Sequence, residues 1–131
     1  MSLLSCLSRS HSWYQLSDVA EGLYYLHSRD VIHGDLKGVR ACPKSCFAAV
    51  LTPGQRNVVI DNTGHARIAG FGRATLAQTL GYERSIEYQH GHGARWTAPE
   101  VLGGKPYSKE ADIFSFAMVM IEVRHARVTM C

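Results

Sequence analysis

The sequence predicts a mainly α-helical fold with one small β-hairpin, and two patterns carry that prediction. Apolar residues recur at helical spacing in segments 13–28 and 108–123. Between these segments, residues 57–69 contain two short β-branched stretches on either side of a turn sequence. The length of 131 residues is typical of a single domain.

The first helix is predicted from residues spaced three and four positions apart: Leu16, Val19, Ala20, Leu23, Tyr24 and His27. Ser12 and Gln15 have the spacing of a capping box at its start. After the β-branched step at Val31 and Ile32, residues 58–60 and 66–69 are expected to pair as antiparallel strands. The stretch 70–94 contains five glycines and little periodicity, which predicts a long mobile loop.

The last helix is predicted to begin at Ser108, a favourable N-cap, with Glu110 in its first turn. Apolar residues occur there on more than one helical face. We therefore expect this helix to be buried almost all round. It would need other elements to cover it, and apolar surface would be exposed where they are absent.

Charge and composition disfavour several classes of function. The net charge is +3 and the fourteen Lys and Arg residues are scattered, so we expect no nucleic-acid partner. No apolar segment reaches the roughly 20 residues that a bilayer requires, and no signal peptide is evident. These features predict a soluble cytoplasmic protein without a membrane partner. Cys42 and Cys46 lack a second ligand pair, which disfavours a zinc site.

Five motifs follow one another along the chain: VIHGDLK at 31–37, Asn57, AGFG at 69–72, RWTAPE at 95–100, and Asp112. In this order they resemble the C-terminal lobe of a eukaryotic protein kinase domain, over residues 13–38 and 57–123. Trp96 is similar to the tyrosine-kinase-like group. Lys37, two positions after Asp35, is similar to serine/threonine-specific members.

The resemblance implies ATP-dependent phosphorylation of protein serine or threonine, with ATP and Mg²⁺ as the cofactors. Asp35 would orient the acceptor hydroxyl and accept its proton, and Lys37 would lie near the transferred phosphate. Asn57 would hold a metal ion. Six further residues would have structural roles: His33, Phe71, Gly72, Trp96, Glu100 and Asp112.

Each of these residues has a simpler interpretation when it is taken alone. Asp35 and Lys37 would be a solvated turn pair, and Asn57 would be a residue that begins a strand. Asp112 would be a first-turn helix charge. The order of the motifs, and not any single residue, favours the kinase interpretation.

Two departures from the family bear on catalysis. Gly70 stands where kinases have the metal-binding Asp of Asp-Phe-Gly, and glycine has no side-chain oxygen for Mg²⁺. Gly34 stands where kinases have the Arg of His-Arg-Asp. No glycine-rich phosphate loop precedes the first helix, so the N-terminal lobe is expected to be missing. We therefore expect impaired or absent catalysis, or alternatively a pseudokinase that binds or scaffolds an unidentified signalling partner.

A third departure is an insertion. In the family the Asn follows the catalytic Asp by five positions, but Asn57 follows Asp35 by 22, which leaves residues 39–55 as extra sequence. Val39 is encoded by a codon beginning GT and Gln55 can be encoded by CAG, the boundary signals of a retained intron of fungal type. A genuine surface insertion is the alternative. Residues 124–131 are interpreted as a non-matching tail.

Overall fold

The computed structural model describes residues 9–41, 57–77 and 93–128. Within those ranges the helices are α1 (Arg9–Ser28), α2 (Pro99–Leu102) and α3 (Lys109–Val128). The strands are β1 (Val31–Ile32), β2 (Val39–Ala41), β3 (Val58–Ile60), β4 (Ala66–Ile68) and β5 (Thr75–Leu76). Both long helices confirm the helical segments predicted from the sequence.

Helix α1 begins at Arg9, three positions before Ser12, so the predicted capping box is wrong. Gln15 instead donates from Nε2 to the carbonyl oxygen of Gly64 at 3.2 Å. Asp18 accepts a hydrogen bond from the backbone N–H of Ala66 at 2.9 Å. Polar side chains on α1 therefore hold the helix against the β3–β4 hairpin.

The β3–β4 hairpin is confirmed, with Val58 opposite Ile68 and Ile60 opposite Ala66. Strand β2, which was not predicted, extends the hairpin to a three-stranded sheet because it pairs parallel with β3. Strand β1 pairs antiparallel with β5 in a second, two-stranded sheet. The predicted fold class was therefore incomplete in its β structure.

The predicted loop over residues 70–94 is wrong at its beginning. Residues Phe71–Arg73 form a 3₁₀ turn, and Thr75 and Leu76 form β5. The tertiary pairing with β1 produces this strand, and pairing partners distant in sequence are invisible to local periodicity. Residues 78–92 lie outside the described part of the chain.

The main core lies between α1 and the three-stranded sheet. Its buried members are Val19, Leu23, Leu36, Val58, Ile60 and Ala66. A second cluster joins α2 to the start of α3 through Ala98, Val101 and Ala111. In the described ranges, no helix is long and apolar enough to cross a membrane.

Helix α3 begins as predicted, because the Ser108 hydroxyl accepts a hydrogen bond from the N–H of Ala111 at 3.1 Å. The expectation of all-round burial is wrong. Ile113 is 53% exposed and Ile121 is 58% exposed, although Val119 is fully buried. One side of α3 packs on the rest of the described chain, and the other side exposes the apolar surface that the sequence led us to expect.

The turn between β3 and β4 is organised by Asp61. Its Oδ1 accepts hydrogen bonds from the Thr63 hydroxyl (2.6 Å) and from the N–H groups of Thr63 (2.9 Å) and His65 (3.0 Å). Arg67 Nε donates to Oδ2 at 3.1 Å. The Thr63 hydroxyl has the largest effect on the carboxyl group, and together these donors hold the pKa of Asp61 well below its usual range.

Acid should therefore weaken the fold partly through Asp61. Because the pKa is lower in the folded than in the unfolded chain, the carboxylate stabilises the fold above about pH 4, and this contribution is lost as the pH falls below that value. Urea unfolding at neutral and acidic pH should show a smaller acid-induced drop of the midpoint for Asp61→Asn than for the parent. Equal drops in the two chains would contradict this assignment.

Candidate active site

The loop after β1 and the residue before β3 bring three predicted site residues together. Lys37 Nζ lies 3.1 Å from Asp35 Oδ1. Asn57 Nδ2 donates to the carbonyl oxygen of Asp35 at 2.6 Å and to its Oδ2 at 2.9 Å. The Asp35 carboxylate is therefore held by an ammonium group and an amide. Both interactions are partly shielded from water, which strengthens them relative to a surface pair.

Gly70 lies directly against this group. Its φ of 75° is in the left-handed region, which glycine adopts without a Cβ penalty. A Cβ built on Gly70 would overlap the Asn57 side chain, with Oδ1 and Cγ too close and Nδ2 at 2.8 Å. The Asn57 amide thus occupies the space that any side chain at Gly70 would need.

Gly34, the second departure from the family pattern, has the same backbone conformation, with a φ of 74°. A Cβ at Gly34 would lie 3.0 Å from the carbonyl oxygen of Arg73, a closer approach than most side chains allow. Both substitutions to glycine therefore fall where the backbone is left-handed and space is short.

Asp112 at the start of α3 braces the loop that carries Asp35. Its Oδ1 accepts the N–H of Gly34 at 2.9 Å, and its Oδ2 accepts the N–H of His33 at 2.8 Å. His27 Nε2 lies 2.9 Å from the same Oδ2. Because the Asp112 side chain is only 1% exposed, these three partners replace water as its hydrogen-bond donors.

His27 was not singled out from the sequence as a site residue. Its helical spacing placed it with the apolar face of α1, and near the C-terminal end of that helix its side chain meets Asp112 of α3. A polar residue among buried apolar positions was the available signal. Its partner, 85 positions later, could be known only from the packing of the two helices.

His33 is fully buried between the loop and the start of the 3₁₀ turn. Its Nδ1 accepts the N–H of Asp35 at 3.2 Å, so the neutral ring carries its proton on Nε2, which donates to the carbonyl oxygen of Ala69 at 2.8 Å. The ring also makes an edge contact with Phe71 at 5.2 Å between centroids. His33 therefore ties the Asp35 loop to the segment that contains Gly70, while Gly72 lies exposed in the 3₁₀ turn.

Trp96 is fixed to α3 from two directions. Its indole Nε1 donates to Glu122 at 3.2 Å, and its carbonyl oxygen accepts the Ser115 hydroxyl at 2.6 Å. Glu100 lies four residues after the 3₁₀ turn Ala94–Trp96, in the first turn of α2, and is half-buried. Ser115 and Glu122 were visible in the sequence as polar interruptions of an apolar helix, but their partner was not.

The donor set does not suit a divalent metal. Mg²⁺ prefers near-octahedral coordination by oxygen, commonly with carboxylates. Here the Asp35 carboxylate is already engaged by Lys37 and Asn57, and Gly70 offers no side-chain oxygen. The described residues contain no group of three or more His, Cys, Asp or Glu side chains placed to hold a metal ion. Asp35, Asn57 and Gly70, as the described part of the chain arranges them, therefore do not fit a divalent metal ion.

The buried Asp112 braces the loop that carries Asp35 and Lys37, and Asn57 lies beside that loop, so the motifs that resemble those of kinases lie together. The family model for protein tyrosine and serine/threonine kinases matches residues 54–128. The chain belongs to this family, and the corresponding prediction is confirmed at that level.

Individual relatives agree with the family assignment. The serine/threonine-protein kinase STY17 of Arabidopsis thaliana is 34% identical over 81% of this chain and 15% of its own length. A probable serine/threonine-protein kinase of Dictyostelium discoideum, drkC, is 34% identical over 81% of this chain and 12% of its own. Protein-tyrosine kinase 6 of Mus musculus is 31% identical over 82% and 19%. The chain thus spans less than a quarter of each of these relatives.

Proposed function

We propose that this chain is a C-terminal-lobe segment of a kinase domain that does not transfer phosphate. The observation that carries the proposal is the Gly70–Asn57 contact. Where the family binds a metal through an Asp, this chain has no side-chain oxygen, and the amide of Asn57 fills the space. The same amide holds Asp35, the residue that would receive the proton of an acceptor hydroxyl.

Loss of the metal ligand removes the main source of charge neutralisation for phosphoryl transfer. Catalysis in this family depends on positioning and on electrostatic stabilisation of the transferred group, and metal ions supply much of the latter. Asp35 and Lys37 alone offer one carboxylate and one ammonium group that already bond to each other. They can orient a hydroxyl group, but they cannot replace a bridging cation.

The test is nucleotide binding and phosphate transfer by the full chain. Calorimetric titration with ATP should show no added affinity when Mg²⁺ is present, and labelled ATP should give no transfer to a general protein acceptor. Asp35→Asn is the matched control, because it removes the proposed proton acceptor while keeping side-chain size. Turnover in the parent that disappears in Asp35→Asn would disprove the proposal.

A protein-binding or scaffolding module is the second candidate, and it is favoured by exposed aromatic residues on α1: Trp13, Tyr14, Tyr24 and Tyr25. Trp13 and Tyr24 are eleven positions apart, as are Tyr14 and Tyr25. Eleven residues make about three helical turns, so each pair shares a face. If the chain binds a protein partner through these aromatic residues, Tyr24→Ser should bind that partner more weakly than the parent does. Asp35→Asn should bind it as tightly as the parent does.

A further inference from the structure

Helix α3 has an exposed side that carries apolar residues between two charged ones. Ile113 and Ile121 are 53% and 58% exposed, and Met120 is 36% exposed. Successive members of this side are mostly three or four positions apart, so they lie along one face of the helix. We call this face the α3 stripe, and its members are Glu110, Ile113, Ala117, Met120, Ile121 and Arg124.

The α3 stripe faces away from the rest of the described chain. On the opposite side of the helix, Ala111, Asp112 and Val119 are at most 1% exposed. The Ser115 hydroxyl on that side donates to the carbonyl oxygen of Trp96 at 2.6 Å. The packing of α3 therefore leaves the stripe open to a partner, and contiguous exposed apolar residues are typical of an interaction site.

The stripe is self-complementary about Ala117. Ile113 and Ile121 lie four positions before and after Ala117, and Glu110 and Arg124 lie seven positions before and after it. In an antiparallel pair of α3 helices centred on Ala117, each isoleucine meets an isoleucine and each charge meets its opposite. The small Ala117 side chain allows the two helix axes to approach to about 8 Å at the centre.

The two charges select both the partner and its orientation. A parallel copy would set Glu110 against Glu110 and Arg124 against Arg124, and like-charge contacts are unfavourable. We propose that the α3 stripe binds a second copy of this chain, antiparallel, about a two-fold axis at Ala117. One helix pair buries less than the roughly 800 Å² per partner of a standard interface, so the dimer should be weak and depend on concentration. This proposal does not rest on the absence of phosphate transfer.

Charge reversal tests the contact. Glu110→Arg and Arg124→Glu each create two like-charge contacts in the dimer, because the two-fold axis doubles every substitution. Sedimentation equilibrium of the full chain should show a dimer for the parent and a dissociation constant raised at least about tenfold for each single variant. The double variant Glu110→Arg with Arg124→Glu rebuilds both opposite-charge contacts and should dimerise within about threefold of the parent.

Two controls exclude other causes of these changes. Glu21→Arg on the exposed side of α1 changes the net charge by the same amount as Glu110→Arg and should dimerise as the parent does. Both reversals on α3 oppose the helix dipole, so a dimer regained by the double variant cannot come from a more stable helix. Circular dichroism checks that each variant is folded. A parent chain that stays monomeric at about 1 mM, or a double variant as weak as the single ones, would overturn the proposal.

Disulfide crosslinking tests the axis and the orientation, in a chain whose four native cysteines are replaced by serine. Ala117→Cys should form a disulfide-linked dimer on oxidation, because the two copies of residue 117 meet at the axis. Glu110→Cys should not, because the two copies of residue 110 lie about 21 Å apart along an antiparallel pair. A crosslink through position 110 would mean a parallel pair, and no crosslink through position 117 would place the contact elsewhere. Either result would disprove the proposed dimer.

Discussion

Replacing Asp112 with alanine should lower the free energy of unfolding by about 3–5 kcal/mol, enough to unfold much of a small domain. The substitution removes one buried carboxylate and leaves three donors without their acceptor: the N–H groups of His33 and Gly34 and the ring of His27. Each buried donor left without an acceptor costs about 1–3 kcal/mol. Urea unfolding followed by circular dichroism measures the difference.

Two control variants separate the loss of these hydrogen bonds from the loss of any carboxylate in the first turn of α3. Asp112→Asn keeps one oxygen acceptor but presents an NH₂ group to one set of donors, so it should be destabilised less than Asp112→Ala. Glu110→Ala, also in the first turn of α3, removes an exposed carboxylate and should cost far less stability than Asp112→Ala, because water screens its interaction with the helix dipole. Equal losses for Asp112→Ala and Glu110→Ala would contradict the bracing role of Asp112.

Gly70→Ala should destabilise the chain by about 3–4 kcal/mol for two reasons. A left-handed φ costs a residue with a Cβ about 1–2 kcal/mol. The new methyl group also displaces the Asn57 amide, which then loses its two hydrogen bonds to Asp35 in a partly buried site. Gly70→Asp supplies the missing side-chain oxygen but carries the same overlap with Asn57, so it should not restore metal binding by itself.

Gly64→Ala is the matched control for backbone strain. Gly64 has a φ of 93°, and nothing lies within 4 Å of a Cβ built on it, so its substitution should cost only about 1–2 kcal/mol. In the double variant Gly70→Ala with Asn57→Ala, the overlap is absent. Most of the destabilisation by which Gly70→Ala exceeds Gly64→Ala should then disappear. Additive losses, or equal losses for Gly64→Ala and Gly70→Ala, would show that Asn57 does not fill the space beside Gly70.

The resemblance to the kinase family grouped Asp112 with residues that are distant from it in the sequence. The motif order alone identified Asp35, Lys37, Asn57 and Asp112 as one group, although Asp35 and Asp112 are 77 positions apart. Their catalytic or metal-binding roles stay predictions. The geometry shows which side chains meet, and the proposed function rests on how they meet at Gly70.

Local patterns were sufficient for elements whose stabilising interactions are local. Helical periodicity located both long helices, and Ser108 identified the start of α3 because a capping hydrogen bond spans only three residues. The turn residues around Asp61 likewise located the hairpin, since their bonds close within six positions. In each case the residues that cause the structure are near neighbours in the chain.

Tertiary structure decided everything that depends on distant partners. Strands β2 and β5 exist because β3 and β1 pair with them. Gln15, which was predicted to cap α1, instead donates a hydrogen bond to the carbonyl oxygen of Gly64, and one side of α3 remains exposed. The sequence by itself determined the family, the two long helices and the missing carboxylate at Gly70. Only the packed chain decided that the Asn57 amide fills that space, because hydrogen bonding and steric exclusion act between atoms that folding brings together.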